Sequence, residues 1–107
     1  MRELKFRAWV DNGEGHRLMI YDRGNVVEFF DATVGCEIMQ YTGLIVDGVE
    51  VYEGDLMERK NASGGTHVCE VRWDSIEAGF RLFKGNFAQW GAINYRAKVV
   101  GNIYENA

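Results

Sequence analysis

Leu44-Ile45-Val46-Asp47-Gly48-Val49-Glu50-Val51-Tyr52 is the stretch on which the fold turns. Two apolar runs flank Asp47-Gly48, a dipeptide suited to a two-residue type I′ turn, where both central residues take positive φ. The stretch reads as a β-hairpin. Directly after it, Glu53-Gly54-Asp55 reads as a structural turn. Gly54 supplies conformational freedom, and a carboxylate at Asp55 accepts backbone N–H bonds there. On that reading, Asp55→Ala costs about 1 kcal/mol through lost turn hydrogen bonds.

Outward from the hairpin the same signals repeat. Residues 56–60 form a strand, Asn61-Ala62-Ser63-Gly64-Gly65 a polar loop, and residues 67–73 a cleanly alternating strand. Residues 80–83 and 98–104 complete the C-terminal set. Toward the N-terminus, Leu4, Phe6, Ala8 and Val10 alternate with Lys5, Arg7 and Trp9. The turn cluster at residues 11–15 then returns the chain through residues 17–21, and residues 26–30 read as a third strand. Residues 31–39 fit neither period, which leaves a short helical turn open there. No stretch sustains a long amphipathic helix, although residues 85–95 have room for a short one. The expected fold is therefore mainly β: a single domain over residues 1–107, with an N-terminal β unit (1–43) and a small barrel or roll (44–107).

Composition supports this. The chain has 107 residues, 47% hydrophobic, with 13 glycines and no proline, which suits many tight turns in one small domain. Three Trp, five Tyr and six Phe suit a pleated, packed core. A net charge of −4 disfavours a dedicated nucleic-acid binder, which needs clustered Lys and Arg. The basic group Arg2, Lys5 and Arg7 is interrupted by Glu3 and reads, like Arg59-Lys60, as solvated strand ends. No leader pattern and no membrane-spanning run is visible, so the expectation is a cytoplasmic protein with reduced thiols at Cys36 and Cys69.

Several blocks together resemble one family. Arg2-Glu3-Leu4-Lys5-Phe6-Arg7-Ala8-Trp9 is similar to the opening of YopX-family proteins. Ile38-Met39-Gln40-Tyr41-Thr42-Gly43-Leu44, followed by Tyr52-Glu53-Gly54-Asp55-Leu56, is similar to the family's central signature. Val71-Arg72-Trp73-Asp74, Ala78-Gly79-Phe80 and residues 100–106 resemble its later blocks. The segment between Leu44 and Tyr52 is shorter than in the usual pattern, implying a tighter hairpin. The resemblance implies a phage or prophage origin in a bacterial host, an SH3-like barrel, and no known catalytic site to carry over.

Chemistry-bearing residues are sparse. His67 and Cys69 are one mixed pair, with Cys36 or His16 as conceivable additions; a zinc site ordinarily has two close ligand pairs. Nothing marks Cys69 as an activated nucleophile. Ser63-Gly64-Gly65-Thr66 lacks the lysine and helix of a phosphate loop. Glu53, Asp55, Asp74 and Glu77 are an acidic set of the kind that does acid–base work or holds a divalent ion, but Asp55 and Asp74 are better read as turn carboxylates. The expectation is no catalytic, cofactor or metal site. Trp9, Tyr41, Tyr52, Trp73, Phe80, Trp90 and Tyr104 exceed what a small core hides easily. Gln40, Tyr41, Tyr52, Trp73 and Phe80 are therefore the candidate interaction surface. The function expected is a non-catalytic accessory role through contacts with a host or phage macromolecule. The alternative is a nucleic-acid-associated module in replication or regulation of a mobile element. The N-terminal strands, carrying apolar groups without proline, are expected to support a dimer-based homo-oligomer.

Overall fold

The structure is a computed structural model. It describes residues 4–11, 13, 16–22, 24, 28–30, 33, 35–60, 63–85, 87–92 and 97–105, with residues 87–92 described by their backbone. Nine strands are assigned among them: β1 (Phe6–Asp11), β2 (Arg17–Tyr21), β3 (Glu37–Val46), β4 (Val49–Tyr52), β5 (Asp55–Lys60), β6 (Thr66–Asp74), β7 (Gly79–Lys84), β8 (Phe87–Ala92) and β9 (Ala97–Asn102). The protein is mainly β, and part of its sheet structure curls as half of a barrel.

The strands form two sheets. One has the order β2-β1-β3-β4, the other β8-β7-β6-β5-β9. Every pairing is antiparallel. Strands β5 to β8 form a meander, and β9 returns to lie beside β5.

The β3–β4 hairpin ends the first sheet and reaches into the core of the second. Asp47 and Gly48 have φ of 51° and 78°, as the two-residue turn requires, and Val46 pairs directly with Val49. Between Tyr41 and Ile45 the register of β3 shifts. Thr42 stabilises that bulge: its hydroxyl donates to the Val51 carbonyl at 2.7 Å and accepts the Leu44 N–H at 3.2 Å. A bulge bends and twists its strand. Here it carries Val46 and Val51 into the core of the second sheet, where they pack with Met57, Cys69, Val71, Leu82 and Ala97. This aliphatic cluster supplies the non-directional part of the fold's stability.

The chain changes sheets at Glu53-Gly54, between β4 and β5. Gly54 has φ +88°, and its peptide groups tie three segments together. Its N–H donates to the Val71 carbonyl at 2.8 Å, and its carbonyl accepts the Ile103 N–H at 3.0 Å.

Two local expectations change. Residues 28–30 are helical, while Val26 and Val27 lie outside the described residues. The N–H of Thr33 donates to the Phe29 carbonyl at 3.1 Å and its hydroxyl does so at 2.7 Å. The Phe30 ring meets Phe6 edge-on at 5.0 Å. A turn fixed from both sides in this way overrides the β-branched local signal. At the other end, residues 87–92 are a strand, because pairing of Ala88 with Phe83 and Phe87 with Lys84 continues the meander.

A junctional groove as the candidate functional site

The junction of the two sheets is polar and aromatic, and its centre is Arg7. Strand alternation turns Arg7 toward the turn after β4, where its guanidinium donates to Asp55 Oδ1 at 2.7 Å and to the Glu53 carbonyl at 3.3 Å. The same guanidinium lies over the Tyr52 ring, 4.7 Å from its centroid. Arg7 is only 4% exposed, and its Nε–H has no hydrogen-bond acceptor among the described residues. The solvated strand end expected at Arg7 is thus the most deeply buried cation among the described residues. Asp55 is the turn carboxylate anticipated at that position, since its Oδ2 accepts the Tyr52 N–H at 2.8 Å. Burial pushes the Asp55 carboxyl above its usual range, against the pull of the Tyr52 N–H and of Arg7. Burial, then the charge of Glu50, pushes the Tyr52 phenol up to about 12.

Beside this junction lies an open groove of about 370 Å³. Met39, Ile103, Trp73 and Tyr104 give it apolar and aromatic walls, and Glu37, Glu53, Glu70 and Arg72 stand around them. Local sequence chemistry sets the walls. At the end of β9, Asn102 Oδ1 accepts the N–H groups of Tyr104 at 3.0 Å and Glu105 at 2.9 Å, an Asx turn that aims Tyr104 back at the first sheet. There Tyr104 stacks on Trp9, with ring centroids 5.7 Å apart. Trp73, the last apolar side chain of β6, is braced edge-on by Phe80 at 5.2 Å and remains 49% exposed.

The charges are also placed. Glu53 Oε1 accepts the Gln40 N–H at 3.1 Å. Arg72 pairs with Glu70 at 3.1 Å and lies over the Phe83 ring, so it offsets one carboxylate. Burial, then the charges of Glu37, Glu70 and Glu53, holds the Tyr104 phenol above its ordinary value. The three carboxylates therefore share one electrostatic field over the groove.

The candidate surface residues separate into two groups. Tyr41 and Tyr52 are buried at the junction, their rings 5.4 Å apart, because Lys5 and Arg7 cover them as cations over aromatic faces. They are core and offer no contact surface. Gln40 is half-buried, and its carbonyl accepts the Glu53 N–H at 2.9 Å. Trp73 stands at the surface, whereas Phe80 is half-buried against the aliphatic core and lines a second hollow of about 330 Å³ with Thr42, Gly43 and Leu44. Trp90 has its side chain outside the described residues.

The remaining candidates do not converge. Among the described residues no three His, Cys, Asp or Glu side chains are placed to hold a metal ion. Asp74 accepts the Ile76 N–H at 3.0 Å and faces Arg81 together with Glu77, away from Asp55. No helix among the described residues is long and apolar enough to cross a membrane.

Fold and site together define a small, mainly β protein whose two sheets are locked by a buried ion pair beside an aromatic groove. The family model for the YopX protein matches residues 11–107, nearly the whole chain, and the chain belongs to the YopX family. No curated protein matches it.

Proposed function

We propose that this YopX-family chain is a non-catalytic phage or prophage accessory protein that works by binding another protein through the surface around Trp73. The observation that carries the reading is the braced, half-exposed Trp73 at the rim of the junctional groove. A large aromatic held rigid at a concave surface loses little conformational freedom on binding, which is the property of an interface anchor. The carboxylates around the groove repel phosphate, so a protein suits this surface better than nucleic acid.

The test is capture from a bacterial host lysate with wild-type protein and Trp73→Ala, each with and without nuclease. The expected result is a host or phage protein retained after nuclease treatment and lost with Trp73→Ala, while the melting temperature of that variant is unchanged. Recovery that disappears with nuclease, or that is equal for both proteins, overturns the proposal.

A further inference from the structure

The groove has a chemical preference that the exposed tryptophan alone does not have. Its volume of about 370 Å³ falls at the low end of ligand pockets, roughly 300–1,000 Å³, and so suits a single side chain better than a large cofactor. Two aromatic side chains help to line it, Trp73 and Tyr104, and each rests against a further ring, Phe80 and Trp9. An open groove with braced aromatic side chains in its lining suits a flat or cationic group.

The charge narrows the choice. Glu37, Glu53 and Glu70 line the slot, and Arg72 offsets only Glu70. Glu37 is exposed on β3, and Glu53 is anchored by the Gln40 N–H. Among the described residues the groove therefore keeps two carboxylates, Glu37 and Glu53, that no ion pair ties up, with the buried Arg7 behind Glu53 as an opposing charge. Burial is the main cause that raises the Tyr104 phenol, and the charges of Glu37, Glu70 and Glu53 add to it against the opposite pull of Arg7, which agrees with this arrangement. The net charge of −4 adds a weaker attraction of the same sign.

We propose that the groove takes one basic side chain, an arginine first, from an exposed segment of the partner protein. The guanidinium stacks against Trp73 and Tyr104 and donates to the carboxylates of Glu37 and Glu53. Arginine is favoured over lysine because its planar, weakly hydrated group both stacks and forks hydrogen bonds. The inference rests on the reading of the Trp73 surface as a contact site.

The experiment is a titration of ¹⁵N-labelled full-length protein with acetyl-arginine-amide and, in parallel, with its neutral isostere acetyl-citrulline-amide. The Trp73 indole N–H and the backbone amides of Gly54 and Tyr104 report on the groove. Arginine is expected to move these signals saturably and citrulline to leave them in place. Glu37→Gln, an exposed change that breaks no side-chain bond to another described residue, is expected to weaken the arginine probe roughly two- to fivefold. Equal shifts with both probes, shifts confined to other parts of the protein, or no effect of Glu37→Gln overturn the inference. Displacement of the same signals by a single-stranded DNA oligonucleotide also overturns it. A Trp73-dependent protein partner found alongside a silent arginine titration leaves the contact site standing and removes only its specificity. An arginine response without Trp73-dependent capture does the reverse.

Discussion

The two sheets bury different chemistry. The β8-β7-β6-β5-β9 sheet closes over aliphatic side chains, with its own Met57, Val71 and Leu82, and Val51 from β4 against them, almost completely covered. The β2-β1-β3-β4 sheet leaves Leu18, Ile20, Tyr21 and Ile38 exposed, and at its junction with the other sheet it buries Arg7, Tyr41, Thr42 and Tyr52. Aliphatic burial is non-directional and tolerates repacking, whereas a buried ion pair is stable only with its partner in place. The core of the second sheet is thus held mainly by area, and the junction by a few directional bonds. The molecule joins the two kinds of interior through the β3–β4 hairpin, whose Val46 and Val51 pack in the aliphatic cluster.

The largest effect is expected at the ion pair. Asp55→Ala leaves the Arg7 guanidinium buried without its partner and takes the acceptor from the Tyr52 N–H. The expected loss is about 3–5 kcal/mol in chemical denaturation, well above the 1 kcal/mol or so that a turn hydrogen bond alone implies. The double change Arg7→Met with Asp55→Leu is expected to recover most of that loss, because it removes the stranded charge. The raised carboxyl of Asp55 agrees with this, since it means that the ionised form pays a desolvation cost in the fold. The sign follows from linkage. The stability from the raised carboxyl is full below its ordinary value of 3.8 and is lost as pH rises through the raised value. A loss near 1 kcal/mol in the single variant would mean that the sheets are joined by something other than this pair.

A smaller effect is expected at the sheet change. Gly54 has φ +88°, and an added Cβ would stand 3.0 Å from the flexible end of Met39. Gly48 has φ +78° with nothing near it. Both Gly54→Ala and Gly48→Ala therefore carry the left-handed strain of about 1–2 kcal/mol, and Gly54→Ala adds the displacement of Met39. Thermal melts of the two variants separate the strain from the crowding. Equal melting temperatures would show that Met39 gives way freely and that the junction is softer than its hydrogen bonds suggest.

The same division explains what the sequence made legible. Pattern and turn chemistry found the Asp47-Gly48 hairpin, the alternation of β6 and the turn at Asp55, because each is local. Arg7 departs from the expectation because a cation two residues from Lys5, on the same strand face, looks solvated, and its partner lies 48 residues away. Tyr41 and Tyr52 went to the interior for the same reason, since the cations that cover them come from another strand. The acidic side of the groove was missed as well. Glu37, Glu53 and Glu70 belong to separate segments and meet only when the sheets join. The one local hint was Asn102, whose Asx turn aims Tyr104.

The two cysteines offer the mildest probe of whether these unlike halves unfold together. Cys36 is half-buried where the chain enters β3, and its N–H donates to the Thr33 carbonyl at 2.9 Å. Cys69 is buried in the middle of β6, opposite Met57 in the register of β5. Burial pushes the Cys69 thiol up, with Lys84 and Arg59 pulling the other way. A thiol raised in the fold contributes stability that is complete below its ordinary value of 9.0 and is lost as pH rises through the raised value. At neutral pH, then, Cys69 is neutral as well as covered, and a disulfide reagent reaches it only when β6 opens. Ellman's reagent is expected to label Cys36 readily in the native protein and Cys69 only at the rate of unfolding. Asp55→Ala then decides the question. If the sheets unfold as one unit, it accelerates labelling of Cys69 in proportion to the stability that it removes. If the aliphatic sheet holds by itself, Cys69 stays protected while the first sheet loosens, and the ion pair is a latch on one half rather than a bond between two.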